Sequence, residues 1–389
     1  MSMTYGVLST YPPTQCGLAS FSESLVGALS GPADDIGVVA IVDETDDSPR
    51  AEVFHQLVRG AAGADKAAAS ALNSCDVAMV QHEYGIFGGR DGADVLTVVR
   101  ALRVPAVVVL HTVLELPTHH QKAILEELSS AASAVVTMTQ TAHDRLVALY
   151  DVDPGKVHVI PHGAADTRAD TVPAASVGQA PERRDEPATR RPVVLTWGLL
   201  GQGKGIEWAI EALALLGDLE HRPRYQVVGQ THPRVLESVG ETYRNGLVER
   251  VVQLDLGDTV HFDARYLGAD ELHRIVQAAD VVLLPYDSLE QVTSGVLIEA
   301  VVAGKPVVST AFPHAVELLS DGAGLLVPRQ DPEALAAALR RVLVEPGRAQ
   351  AMSDKATLLA PTLLWPTVAQ QYRDLADVVC DAVPVRASA

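Results

Sequence analysis

The feature that most constrains this chain is a repeated alternation of two patterns. Short runs rich in Val and Ile fall at Tyr5–Leu8, Ile36–Val42, Val77–Val80, Ala106–Leu110, Ala134–Thr137 and Val157–Ile160. They are apolar at successive positions and bounded by polar residues or Gly, the pattern of a strand covered on both faces. Between them, helical periodicity appears at Ala19–Leu29, Ala93–Ala101, His119–Ser130 and Gln140–Tyr150. Strands that alternate with helices predict a parallel, doubly wound α/β sheet.

The pattern stops at Ala164 and restarts after Arg191. The stretch between has no period and is rich in Pro, Ala, Arg and acidic residues, so a linker is expected over 166–191. Strands follow at Val193–Trp197, Tyr225–Val228, Val260–Phe262, Val281–Leu284, Pro306–Ser309 and Gly324–Val327. Helices are expected at Ile206–Leu216, His232–Leu254, Ala269–Ala278, Val296–Ala303, Ala315–Leu319 and Pro332–Glu345. The chain of 389 residues therefore divides into domains over 1–165 and 192–365. A last helix, Pro366–Val379 within 366–389, has the option of returning to the first domain.

Charge narrows the function. A net charge of −19 opposes non-specific binding to nucleic acid or to an anionic membrane, both of which need a basic field. Cys16, Cys75 and Cys380 are odd in number and far apart, which fits no disulfide framework or zinc spacing. Cys75 is expected in the core. The opening MSMTYGVLSTYPP has neither a basic nor an apolar leader segment, and no apolar run approaches the ~20 residues of a membrane span. A cytoplasmic protein is expected.

Two segments carry anion-binding chemistry. Trp197-Gly198-Leu199-Leu200-Gly201-Gln202-Gly203-Lys204-Gly205 joins a strand to a helix. Its glycines permit tight turning and close approach to a ligand, the helix start offers free N–H groups, and Lys204 adds a full charge. The stretch from Gly198 to Lys204 nearly matches a P-loop, but Gly205 stands where Ser or Thr must hold Mg²⁺. The second segment runs from Leu284-Pro285-Tyr286-Asp287 through Gln291, Val292, Thr293, Ser294, Gly295, Val296 and Leu297 to Glu299. Again a helix start faces outward, and Glu299, one turn in, can accept two hydrogen bonds from a ribose diol.

These residues carry a resemblance. The glycine loop with Lys204-Gly205, the strand Asp280-VVLLPY, Glu299-Ala300, Ala303-Gly304 and Pro306-Val307-Val308 are similar to family 4 of the retaining glycosyltransferases. Glu317-Leu318-Leu319, Gly322–Pro328 and Val159-Ile160-Pro161-His162-Gly163 extend the likeness, and Gly17–Leu25 and His111 carry it weakly into the first half. The resemblance implies the GT-B fold: two facing Rossmann-like doubly wound domains with an interdomain cleft. It implies a nucleotide-sugar held mainly by the C-terminal domain, and transfer of a hexose of mannose or glucose type to an acceptor hydroxyl with retention. The departing diphosphate would help deprotonate the acceptor. The alternatives are another enzyme of the same fold, an epimerase or a phosphorylase, and a non-catalytic sugar-nucleotide-binding protein. Two positions depart from the family pattern: Leu199 replaces an Arg, and Gln291 replaces the first Glu of E-x7-E.

What the resemblance implies for the site is as follows. His111, Lys204, Gln291 and Glu299 would carry the catalysis. The donor would rest on Gly17, Gly198, Gly203, Lys204, Thr293, Ser294, Gly295, Val296, Leu297 and Glu299, with the base near Arg265 and Tyr266. Gln15, His82, Glu83, Tyr84 and His162 would lie on the acceptor or sugar side. No tightly bound cofactor and no metal are expected, because Asp151 and Asp153 read as a turn and His119-His120 lacks a third ligand. The co-substrate would be a GDP- or UDP-linked sugar, and the partner a small-molecule or oligosaccharide acceptor. The segment 1–165 holds nine Lys and Arg against nineteen Asp and Glu, so no stable membrane association is expected.

Overall fold

The computed structural model of the chain describes residues 3–31, 34–168 and 190–382, so most of the expected linker lies outside the described residues. The chain forms two compact units: Met1–Gly163 with Glu290–Gly295 and Trp365–Ala389, and Ala164–Leu289 with Val296–Leu364.

The first unit is built on a parallel sheet. Its strands are β1 (Thr4–Ser9), β2 (Asp35–Val42), β3 (Val53–Val58), β4 (Val77–His82), β5 (Ala106–Leu110), β6 (Ala134–Thr137) and β7 (Val157–Val159), and their order is β3-β2-β1-β4-β5-β6-β7. Register fixes the interior: Val7 pairs with Val38 and with Met79, and Val108 pairs with Val80 and with Val135. Around the sheet lie α1 (Gly17–Leu29), α2 (Ala64–Leu72), α3 (Val95–Ala101), α4 (His119–Ala131) and α5 (Gln140–Leu149). Side-chain caps set three of the starts: Cys16 on α1, Thr118 with Gln121 in a capping box on α4, and Thr139 on α5.

The second unit repeats the architecture. Strands β8 (Val193–Trp197), β9 (Arg224–Val228), β10 (Val260–Asp263), β11 (Val281–Leu284), β12 (Val307–Thr310) and β13 (Gly324–Val327) lie in the order β10-β9-β8-β11-β12-β13, all parallel. Its helices are α6 (Ile206–Ala214), α7 (Pro233–Val239), α8 (Thr242–Gln253), α9 (Ala269–Ala278), α10 (Gly295–Val302), α11 (Pro313–Leu319), α12 (Pro332–Val344) and α13 (Arg348–Leu363). Both sheets are open and change direction of winding once, between β1 and β4 and between β8 and β11. Ligands of such sheets bind at the carboxyl ends of the strands beside that switch point.

Several elements differ from the sequence pattern. The single helix expected over His232–Leu254 is two, broken at Gly240, which takes a left-handed φ of 65°. Strand β3 escapes the apolar pattern because it is an edge strand carrying His55 and Gln56 on partly exposed positions. Helix α2 is short and Ala-rich, and α13 carries Pro361 within its last turn. Both look weakly periodic in sequence, yet both bury one face.

The last helix, α14 (Trp365–Asp381), packs on α1 in the first unit. Val368, Ala369, Tyr372 and Ala376 enter the cluster formed by Phe21, Leu25 and the strands β1 and β4. Tyr372 is fully enclosed, and its hydroxyl has no hydrogen-bond partner among the described residues. Tyr372→Ala is therefore expected to cost about 3–5 kcal/mol, the usual loss for a large aromatic in a core. Tyr372→Phe should cost nothing or stabilise, because it removes an unsatisfied polar group. Urea unfolding of both variants checks this.

Candidate active site

In the second unit, the loops that follow the two switch-point strands lie against each other. The loop after β8 turns through Gly198, Gly203 and Gly205, with φ of 114°, 85° and 63°. At Gly205 a Cβ would sit 1.8 Å from the Pro285 carbonyl oxygen, so only Gly allows that backbone contact. Asp287 then donates its N–H to the Gly203 carbonyl at 2.9 Å, and Trp208, in the first turn of α6, donates Nε1–H to Asp287 at 2.9 Å. Arg329 donates to the Asp287 carbonyl. The two loops are thus one braced unit.

Lys204 and Glu299 bring opposite charges to this unit. The Lys204 ammonium stands 4.5 Å from the centre of the Tyr286 ring, a cation–π contact. Burial pushes its pKa down to about 8, which leaves it mainly charged at neutral pH. The Glu299 carboxylate accepts a hydrogen bond from Trp197 Nε1 at 3.1 Å. Burial nevertheless pushes that carboxyl up to about 7, with the Trp197 bond pulling in the opposite direction. Val296 packs 3.6 Å from the Cβ position of Gly198. Leu297 has its side chain in the apolar core, so only its backbone can serve a ligand.

The segment Glu290–Gly295 is described with the first unit. Val292 enters that unit's core, and its carbonyl accepts a hydrogen bond from Thr139 at 3.0 Å. Glu290 accepts from Arg145 at 3.0 Å and from the Glu115 N–H at 2.7 Å. Gln291 is half-buried, Ser294 is buried, and Thr293 Oγ1 is enclosed without a partner among the described residues.

Also in the first unit, His111 at the end of β5 donates Nε2–H to Gln81 Oε1 at 2.8 Å. Burial, and then His162 and His82, hold its pKa well below the usual range, so the ring is neutral. Phe21 meets it edge-on at 4.8 Å. His162 donates Nδ1–H to the Gly163 carbonyl at 2.7 Å, which leaves Nε2 as the bare nitrogen, 2.8 Å from the Cβ position of Gly295. Gly17 opens α1 with open space around it, and Gln15 is exposed beside it.

One expectation is corrected by placement. His82 is expected on the acceptor side, but its ring is 0% exposed, enclosed between Tyr84 and Phe87, and burial lowers its pKa to about 4. It packs in the core because β4 is covered on both faces to its last residue. Arg265, expected beside the base, is exposed and pairs with Asp263 at 2.6 Å and Glu271 at 3.0 Å. Tyr266 beside it is exposed. Glu83 accepts from Thr112 and from the Tyr84 N–H, and the Tyr84 hydroxyl donates to the Gln121 carbonyl at 3.4 Å. Trp197, Tyr286 and Asp287 fall inside the two segments read as anion-binding, but the sequence pattern assigns them no role there, and it assigns Gln81 none. Trp197 and Gln81 sit at the carboxyl ends of β8 and β4, and Tyr286 and Asp287 just after β11. Asp153 caps the turn Pro154–Lys156, and His120 pairs with Asp91 at 2.8 Å. Among the described residues, no group of three or more His, Cys, Asp or Glu is placed to hold a metal ion.

Two open parallel sheets with interleaved helices, each with one switch point, are the architecture of the GT-B class. Solved structures share the fold. The Thermosynechococcus elongatus sucrose-phosphate synthase matches with a TM-score of 0.74 at 18% identity, covering 98% of this chain and 100% of that one. An Anabaena protein, Alr3699/HepE, in complex with UDP and glucose, matches with a TM-score of 0.73 at 16% identity, covering 97% of this chain and 100% of that one. The family model described as Glycosyltransferase Family 4 matches residues 45–168, and that described as Glycosyl transferases group 1 matches residues 179–358. The chain belongs to family 4 of the glycosyltransferases.

Among curated relatives, a D-inositol 3-phosphate glycosyltransferase of Kineococcus radiotolerans is 32% identical over 258 residues, 63% of this chain and 57% of that protein. The lipopolysaccharide glucosyltransferase WaaG of Escherichia coli is 26% identical over 217 residues, 55% of this chain and 54% of that protein. The chain thus spans less than two thirds of the curated relatives it matches.

The raised Glu299 carboxyl makes a prediction. A carboxyl whose folded pKa lies above its ordinary 4.5 gives stability that is full below that value and is lost as pH rises to about 7. Glu299→Gln should flatten the fall in unfolding free energy across that window. Trp197→Phe removes the bond that favours the ionised form, so it should extend the fall to higher pH. Urea midpoints measured at a series of pH values check both.

Proposed function

We propose that the chain transfers a hexosyl group, of mannose or glucose type, from a UDP- or GDP-sugar to a hydroxyl of a small or oligosaccharide acceptor, with retention. The observation that carries this reading is the braced pair of loops after β8 and β11. It sets a half-buried ammonium and a ribose-ready carboxylate at the switch point of one sheet. Relatives named as sugar transferases, and the neighbour solved with UDP and glucose, support it.

In this reading Lys204 and the N–H groups of the glycine loop neutralise the charge that grows on the diphosphate as the C1–oxygen bond breaks. The acceptor oxygen bonds to C1 on the face the diphosphate leaves, and the acceptor proton passes to a departing phosphate oxygen. No enzyme nucleophile takes part. Neutral His111, fixed with its Nε2–H on Gln81, offers Nδ1 as an acceptor for a hydroxyl of the transferred sugar. Positioning and charge stabilisation then supply the rate.

A thermal-shift panel of UDP, GDP, ADP and their sugars names the donor, and the anomeric configuration of the product by NMR tests retention. Lys204→Ala should weaken nucleoside diphosphate binding about tenfold or more, as expected for loss of a charged hydrogen bond worth about 1.5–3 kcal/mol. Unchanged binding would refute the assignment. Glu299→Ala should weaken the ribonucleotide but leave the 2′-deoxynucleotide nearly unaffected.

The acceptor is proposed to be soluble. The acidic first segment would be repelled by an anionic leaflet at about 1 kcal/mol per misplaced charge. Among the described residues, no helix is long and apolar enough to cross a membrane. Sedimentation with anionic vesicles at low salt should leave the protein in the supernatant. Salt-sensitive pelleting would point to a lipid-linked acceptor.

A further inference from the structure

We propose that Arg244, which lies outside every motif of the glycine loop, is the positioning residue that holds that loop in its anion-binding shape. This inference rests on the proposed reading of the loop as the diphosphate site.

After β8 the chain continues to pair with the turn that follows β9. Gly198 donates to the Val228 carbonyl at 3.0 Å and Leu200 to the Gln230 carbonyl at 2.8 Å, while His232 donates back to Leu200 at 2.8 Å. The contact is close: a Cβ on Gly229 would lie 2.1 Å from the Gly198 carbonyl oxygen. The turn at Gly229–His232 is therefore the template on which the glycine loop is laid. Turns without regular structure need an external hold to keep one shape.

Arg244 supplies that hold. From α8 it donates Nη2–H to the Gly229 carbonyl at 2.7 Å and Nε–H to Glu241 at 3.3 Å, and Glu241 in turn accepts the Thr231 hydroxyl. One planar guanidinium thus clamps both ends of the turn, directly at Gly229 and through a carboxylate at Thr231. A fork of fixed geometry does this; a single ammonium does not. The residue is only 9% exposed, and its Nη1 has no partner among the described residues. A buried cation with an unsatisfied donor is a poor contributor to stability. A role in stability alone therefore does not account for an Arg here, whereas shaping the turn does.

The test uses the full chain with Arg244→Met and Arg244→Lys, so that a folding failure of one leaves the other. Hydrogen exchange reads the loop without any ligand. The Leu200 and His232 amides should exchange about tenfold faster or more in both variants, while amides of β12 stay unchanged. Isothermal titration should show UDP or GDP binding weakened about tenfold while uridine or guanosine binding changes less than about twofold. Unchanged exchange at Leu200 and His232, or equal loss for nucleoside and nucleoside diphosphate, would overturn the proposal. Failure of the wild-type chain to bind any nucleoside diphosphate would defeat the assignment of the loop as a diphosphate site, and the exchange data would still decide what Arg244 holds.

Discussion

The second unit depends on backbone lying directly against backbone. The Gly205 Cα faces the Pro285 carbonyl and the Gly229 Cα faces the Gly198 carbonyl, at separations that exclude any side chain. These contacts bring the loops after β8, β9 and β11 together at the carboxyl ends of their strands. They fix the loop that carries Lys204 against the turn that precedes Asp287, and so seat the ammonium on the Tyr286 ring.

The electrostatics follow from that crowding. Lys204 and Glu299 are each pulled toward their neutral forms by burial, and each is partly compensated by an aromatic neighbour, Tyr286 for the cation and Trp197 for the anion. In the first unit the same desolvation keeps His111 and His162 uncharged, with tautomers set by Gln81 and by the Gly163 carbonyl. The chain has a net charge of −19, yet the region proposed for a diphosphate carries a half-buried cation. Global charge and local field are separate quantities here.

Much of this was legible in the residues. The β8 and β11 strands, the glycine loop and Glu299 could be read because turn chemistry and strand pattern are local signals. The support of the site was not legible. Trp197 and Glu299 are separated by 102 residues and Trp208 and Asp287 by 79, and no spacing rule links them. His82 misled because its position at a strand end suggested exposure, whereas β4 stays covered on both faces to that residue. The edge strand β3 and the helix break at Gly240 were hidden for a simpler reason: partial exposure blurs the periodicity on which such readings rest.

The two shifted groups have a consequence for the proton inventory of the site. Burial pushes the Glu299 carboxyl up to about 7 and the Lys204 ammonium down to about 8, so both groups lie closer to their neutral forms near neutral pH than they would in water. An anionic ligand raises the affinity of Lys204 for its proton, so binding takes a proton up from solvent where that group titrates. A diol that donates to Glu299 lowers the affinity of that carboxyl, so binding gives a proton off where the carboxyl titrates. The two exchanges have opposite sign. A nucleotide bound in this region would therefore exchange protons with solvent in the pH range where these two groups titrate, and there its heat of binding would depend on the ionisation enthalpy of the solution buffer.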